Sequence, residues 1–319
     1  MKIVDFLIEK ELIKEEECTV TKVGRKPNML KLNKDKYFSI GVIYEGDYLM
    51  LGIVDLAGNV INFIQIRCGK YFEESLFLNI DKILEMSGKD AENLIGIGIG
   101  IPCIFDQEKR EITAPLIGID EPKYFGDIID RISEKYNAKV IVDNDLNIEA
   151  FGEYASRKQE EKEDLIFISL GAGVIIDGKV RRGSHNICGE IGYMMFEYTE
   201  ETTNSGWLEG KINLKKLNEE FGISDFPEDK EKRREAVSYV SRYLAMLVNN
   251  LIFCYDVSGI VLDGHVIDIL GDELIMETQN KLDKICYKSL SVKKRRVVSP
   301  GISGGALLAS NAWLEEVFK

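Results

Sequence analysis

The spacing of apolar and polar positions divides the chain into short strand-like runs and longer helical ones. From Tyr37 to Ile66, the runs FSIGVIY, YLMLGIVDL and VINFIQI are separated at Glu45-Gly46-Asp47 and at Ala57-Gly58-Asn59. Runs of this length, rich in β-branched and aromatic residues and broken by turn formers, predict a β-meander. Glu73 to Met86 carries its apolar residues at helical spacing. Leu94 to Ile101 alternates isoleucine with Gly96, Gly98 and Gly100 and stops at Pro102. Bare glycines in a strand let another backbone or a ligand come close. Lys123 to Tyr136 predicts a helix that leads into a short buried strand, Val140-Ile141-Val142.

The same alternation of elements returns further on. Leu165 to Val180 predicts a second hairpin around Asp177-Gly178, a strong two-residue turn signal. Arg181 to Tyr193 is a glycine-broken loop that carries Glu190. Val237 to Phe253 reads as a long apolar helix, and Ile260 to Leu262 as a buried strand ending at Asp263-Gly264-His265. Pro300 to Val317 reads as a glycine corner and a closing helix. Two meander-plus-helix halves, before and after residue 147, predict a duplicated α/β fold with a cleft between lobes, a favoured place for ligands.

The join between the halves is VIVDNDLNIEAFGE, Val140 to Glu153. An apolar strand, a polar corner at Asp143-Asn144-Asp145 and a helix with Ile148 and Phe151 on one face put side chains at the carboxyl edge of a sheet. Asn144 and Asp145 at such an edge can meet polyol hydroxyls. The same three residues also serve as an ordinary helix cap.

The N-terminal stretch differs. Met1 to Lys10 predicts a short amphipathic helix with Val4, Leu7 and Ile8 on one side, and Glu11 to Asn33 a β-ribbon. Lys22, Arg25, Lys26, Lys31, Lys34 and Lys36 make its second half basic, with Gly24 and Pro27 as punctuation. Helix then basic ribbon is the tail of a winged helix-turn-helix, whose preceding helices would read DNA; a packing arm or linker is the plainer reading. The divisions expected are 1–33 for this tail, 34–147 plus 303–319 for one lobe and 148–302 for the other.

Composition narrows the partners. The 319 residues carry a formal charge of −13, so non-specific nucleic-acid binding is excluded and any DNA contact must be local or on another segment. Six scattered cysteines without a C-x-x-C pair, and no secretory signal, predict reduced thiols and a cytoplasmic protein. No apolar run approaches the roughly 20 residues that span a bilayer, so no membrane partner is expected.

Six stretches together resemble the ROK family of sugar-responsive repressors and sugar kinases: GRKPNMLKLN at Gly24, GIVDLAGNVI at Gly52, IGIGIPCIFD at Ile97, DNDLN at Asp143, CGEIGY at Cys188 and GWLE at Gly206. The first is similar to the join between DNA-binding and sensor parts in the family's repressors. The resemblance implies a two-lobed actin-like ATPase fold, a ribonuclease H-like unit duplicated, with a winged-helix remnant at the N-terminus. It implies that Asn144, Asp145, Glu190 and Glu209 bind sugar, with Tyr193 at a place where a histidine touches sugar, and that Asp145 matches the kinase general base. Unaided, Glu190 and Glu209 read as ordinary surface acids.

The departures from the kinases concern the nucleotide. The first phosphate turn reads Ile43, Tyr44, Glu45, Gly46, Asp47: isoleucine stands where an aspartate orients metal, and two acids where phosphates arrive. The second phosphate turn is shortened to Gly171-Ala172-Gly173, and Asp263 replaces one of paired glycines near the nucleoside. The zinc ligands of the family are missing: Tyr193 replaces the histidine, residues 197–206 hold no cysteine and Trp207 stands at the last cysteine. His185 and Cys188 read as loop packing. The expectation is a sugar- or sugar-phosphate-sensing regulator domain without kinase activity, cofactor or zinc. It would contact DNA only with a complete N-terminal head, and would form a homodimer or homotetramer. The alternative is a Mg-ATP-dependent hexose or N-acylhexosamine kinase with Asp145 as general base.

Overall fold

The computed structural model describes residues 3–17, 28–68, 72–115, 118–200, 206–224, 229–288 and 290–319. The chain divides into two units, Met1–Asp145 with Gly301–Lys319, and Leu146–Pro300. These divisions fall just before the expected ones at 147 and 302, and the N-terminal arm belongs to the first unit.

The first unit begins with α1 (Ile3–Glu9) and the antiparallel ribbon β1 (Ile13–Glu17) and β2 (Asn28–Leu32). Lys22, Gly24, Arg25, Lys26 and Pro27 lie outside the described residues. The expected meander follows as β3 (Phe38–Glu45), β4 (Tyr48–Asp55) and β5 (Val60–Arg67). Next come α2 (Phe72–Ser87) and β6 (Leu94–Ile101). A small antiparallel sheet, β7 (Ile104–Asp106), β8 (Glu111–Ala114) and β9 (Ile119–Tyr124), precedes α3 (Gly126–Tyr136) and β10 (Lys139–Asn144). The helix expected from Lys123 therefore starts three residues later. Lys123 and Tyr124 pair with Ile112 and Glu111, which satisfies their backbone groups in a ladder instead.

In the second unit, α4 (Asp145–Ala155) leads to β11 (Leu165–Ile168), β12 (Ala172–Ile176) and β13 (Lys179–Val180). The hairpin expected around Asp177-Gly178 is the β12–β13 pair, and β11 joins it through a further turn at Ser169-Leu170-Gly171. Helices α5 (Trp207–Ile212), α6 (Leu214–Phe221) and α7 (Lys230–Tyr255) follow, then β14 (Gly259–Leu262), α8 (His265–Ile285) and β15 (Val292–Lys294). Helix α9 (Pro300–Val317) closes the chain.

The two five-stranded sheets share one topology. Their orders are β10-β6-β3-β4-β5 and β13-β12-β11-β14-β15. In each, the first three strands in sequence form an antiparallel meander and the next two add in parallel beside the first. The duplication read from the sequence is this repeat. β11 and β14 are buried along their whole length, as parallel strands covered on both faces are.

The glycine-alternating strand has a specific use. Gly41, Gly52 and Gly98 lie side by side across β3, β4 and β6, and α9 crosses on top of them. A Cβ at Gly41 would lie 1.8 Å from the Ile302 carbonyl oxygen, and one at Gly98 would lie 1.9 Å from that of Gly305. One row along, Ser39 Oγ and Ser310 Oγ share a buried hydrogen bond of 2.8 Å. The close approach is thus made by another backbone.

Among the described residues one helix, α7, is long and apolar enough to cross a membrane by length and composition, contrary to the expectation that no run comes near that length. More than half of that stretch is buried in the second unit's core, with Val240, Leu244, Leu247, Val248 and Leu251 packed inside.

Candidate functional site

Asp143-Asn144-Asp145 contains no loop. Asp143 and Asn144 are the last residues of β10, in register with Gly100 and Ile101, and α4 starts at once with Asp145. The polar corner expected after Val142 is therefore strand followed directly by helix. Two local bonds fix it: Asn144 Nδ2 donates to the Cys103 carbonyl (2.9 Å), and Asn144 N donates to Asp143 Oδ1 (2.8 Å). Gln107 Nε2 supports the strand from the side by donating to the Val142 carbonyl (2.8 Å). Asn144 and Asp145 are half-buried at the carboxyl edge of the first sheet.

The second unit brings Glu190 and Glu209 together. Glu190 enters a short 3-10 turn, Ile191–Tyr193, and Glu209 lies in the first turn of α5. Gly189 ties Glu190 to β12, since Ala172 N donates to the Gly189 carbonyl (2.8 Å). That glycine has a φ of +99°, and a Cβ there would lie 1.9 Å from the Ala172 oxygen, so no other residue fits. Gly206 does the same for Glu209: at φ +93°, its Cβ would lie 2.4 Å from the Gly192 oxygen. Burial pushes the Glu190 carboxyl above the usual range, and burial plus the neighbouring Glu190 charge raise Glu209. Neither carboxylate has a cationic or hydrogen-bonding partner among the described residues. Two desolvated acids close enough to feel each other's charge lack donors, and adjacent hydroxyls supply donors without adding charge. Tyr193, by contrast, is 58% exposed.

The residues of the three nucleotide turns have other occupations. Ile43 is in the core of the first unit, 2% exposed. Glu45 still pairs with Tyr48, leaving a two-residue turn, Gly46-Asp47, with Gly46 at φ +60°. Arg67 bonds Asp47 Oδ2 (2.8 Å). A phosphate cradle needs several converging N–H groups, and this turn offers two residues and two acids. Gly171 and Gly173 answer to α4: a Cβ at Gly173 would lie 2.2 Å from the Leu146 oxygen, and one at Gly171 would lie 2.7 Å from Leu146 Cδ1. Asp263, 4% exposed, pairs with Arg295 (2.8 Å), which also reaches Asp268 (3.3 Å). Burial raises the Asp263 carboxyl, opposed by the Gly264 N–H and by Arg295.

Among the described residues no three His, Cys, Asp or Glu side chains stand together as a metal site. Trp207 is 5% exposed, with its indole edge-on to Phe196 and Tyr243. His185 is exposed; Cys188 alone packs, its Sγ 3.3 Å from the Tyr255 hydroxyl. That contact, with burial, pushes Tyr255 up to about 12. Sequence reasoning did not single out Gln107, Arg295 or the Cys188–Tyr255 contact. Only Arg295 left a trace there, in the basic run Lys293 to Arg296.

Residues 39–207 match the ROK family profile. A xylose repressor of Caldicellulosiruptor bescii is 30% identical over 223 residues, which cover 64% of this chain and 53% of the repressor. The chain thus spans about half the length of that relative. Among solved structures, a ROK family transcriptional regulator described as a homolog of the E. coli MLC protein superposes with a TM-score of 0.80. It is 19% identical and covers 99% of this chain and 89% of its own. A ROK family glucokinase from Streptomyces griseus, solved with glucose and AMPPNP, gives a TM-score of 0.70 at 20% identity, covering 86% of this chain and 99% of its own.

Proposed function

The chain belongs to the ROK family, and we propose that it is the sensor part of a transcriptional regulator, which binds a sugar through the Glu190–Glu209 pair and transfers no phosphate. The observation that carries this reading is the Glu190–Glu209 pair. It is held in place by two glycines that admit no side chain, and it has no protein partner among the described residues. A site that keeps unsatisfied acceptors half-buried discriminates for hydroxyl donors, because an analogue lacking them leaves the acceptors desolvated and unpaired. The xylose repressor relative directs the first choice of ligand to pentoses. Effector binding that favours one conformer would shift DNA affinity in an intact regulator carrying a DNA-binding head.

A hexose or N-acylhexosamine kinase is the competing reading, and the retained Asp145 is in its favour. Against it stand the acidic two-residue turn at Gly46-Asp47, the glycines at 171 and 173 used by α4, and the Asp263–Arg295 pair. Phosphoryl transfer depends on positive or dipolar groups around the transferred oxygens.

The test is thermal unfolding against xylose, other pentoses, hexoses, N-acetylhexosamines and their phosphates, each with and without Mg-ATP. A ligand at 100 times its Kd adds about 2.7 kcal/mol of stability. A rise in midpoint with a sugar and none with Mg-ATP is the expected result. A rise with Mg-ATP alone would return the kinase reading.

A further inference from the structure

The two acids need a fastener. They lie on separate segments, the Ile191–Tyr193 turn and α5, which meet where Gly206 approaches the Gly192 carbonyl. Backbone contact alone does not fix the rotation of a six-residue helix. Three side chains of α5, Trp207, Leu208 and Ile212, are buried in the core of the unit, and Trp207 is the one next to Gly206. The Trp207 ring stands edge-on to Phe196 at 5.9 Å (78°) and to Tyr243 of α7 at 5.9 Å (71°). The row continues along α7 from Tyr243 to Tyr239 (5.1 Å), which packs on Phe221 of α6 (5.4 Å). Phe196 lies just beyond the turn and Tyr243 on the longest helix of the unit, so the indole joins the loop, α5 and the core. A second fastening, Cys188 Sγ to the Tyr255 hydroxyl, ties the other side of the Glu190 loop to the end of the same helix.

We propose that Trp207 is the positioning residue of the Glu190–Glu209 pair: its indole, seated between Phe196 and Tyr243, locks α5 to the Ile191–Tyr193 turn with no metal. Edge-to-face aromatic contacts add attraction beyond their burial, and two of them converge on one ring here. A rotation of α5 would carry Glu209 away from Glu190 and open the donor-accepting pair. The consequence for sugar binding rests on the proposed function; the mechanical part concerns the bare protein and can be decided without any ligand.

The experiment is amide hydrogen exchange on the full chain, comparing wild type, Trp207→Ala and Trp207→Phe, each with and without EDTA. In Trp207→Ala, amides of residues 189–194 and 207–213 are expected to exchange about tenfold faster, with those of β6 and α9 unchanged. Trp207→Phe restores most of the protection, and EDTA changes nothing. Should Trp207→Ala not fold, Tyr243→Leu removes one side of the seat and is expected to loosen the same two segments. Wild-type exchange rates at 189–194 in the folded substituted chains would overturn the proposal, as would loosening of the wild-type loop by EDTA. With a binding sugar in hand, Trp207→Ala weakens its affinity about tenfold and Trp207→Phe does not. If no sugar binds wild type, the functional reading fails while the exchange result still decides the fastener.

Discussion

Replacing Gly41 by alanine tests the packing on which the first unit depends. The added Cβ would stand 1.8 Å from the Ile302 carbonyl oxygen, about 1.6 Å short of ordinary contact. Strand β3 cannot yield, because it is the middle of its sheet, between β4 and β6. Helix α9 must therefore lift. Lifting it strips contacts from Ile302, Ala306 and Ala309, all 1% exposed or less, and stretches the buried Ser39–Ser310 hydrogen bond. Overpacking costs about 1–3 kcal/mol, and a lost buried hydrogen bond about 1–3 kcal/mol more. The stiffer unfolded chain of the alanine variant offsets about 0.4–1 kcal/mol. The net expectation is a loss of about 3 kcal/mol. The assay is urea unfolding followed by Trp313 fluorescence in a Trp207→Phe background, so that the signal comes from α9 itself. Gly46→Ala is the control: its φ of +60° is strained for alanine, yet nothing lies within 4 Å, so it should lose about 1 kcal/mol. A Gly41→Ala loss below about 1 kcal/mol, or one no larger than that of Gly46→Ala, would refute the reasoning.

Glu190→Gln removes one charge of the raised pair, so the unliganded protein should gain stability in thermal unfolding while sugar affinity falls about 10- to 100-fold by calorimetry. The pH dependence follows from the same two groups. Because both folded carboxyls are raised, the unfolded chain ionises first, so their ionisation costs stability as pH rises from the ordinary carboxylate range through the raised values. Hydroxyl donors favour the ionised pair, so sugar binding should weaken as pH falls through that window and release protons there, read as a buffer-dependent heat. Arg295→Met strips the partner from Asp263, which is 4% exposed, and should lower stability by about 2–3 kcal/mol in urea unfolding, an effect that shrinks on the double substitution with Asp263→Asn.

Much of the fold is legible because its strands are strongly patterned. The meander 37–66 and the helix 300–317 stand out by periodicity, and the glycines of β6 mark a close approach whose partner only the structure names as α9. The sheet β7-β8-β9 escapes because its strands are short, charged and interrupted by Pro122, so no period of two accumulates. Helix α8 escapes for another reason: it breaks at Gly271 (φ +62°, ψ −155°), and Arg233 caps the carbonyls of Ile269 and Leu270 at 2.8 Å each. At the candidate site the acids themselves are visible in sequence only through the family resemblance, since isolated glutamates carry no pattern. What fixes them, namely Gly189, Gly206 and the ring of Trp207, depends on contacts between segments that periodicity does not record. The roles of Gly171 and Gly173 invert between sequence and structure: a glycine turn suggests phosphate, and the packing of α4 is what requires it.

Whether the chain binds a sugar and leaves it unphosphorylated is decided by one titration and its product. The sugar giving the largest thermal shift is titrated calorimetrically into the full chain with and without Mg-ATP, and the mixture is then analysed for sugar phosphate by mass spectrometry. The account predicts a saturable heat that Glu190→Gln weakens, the same affinity with Mg-ATP present, and no phosphorylated product. Sugar phosphate that disappears in Asp145→Asn would contradict it and make the chain a kinase.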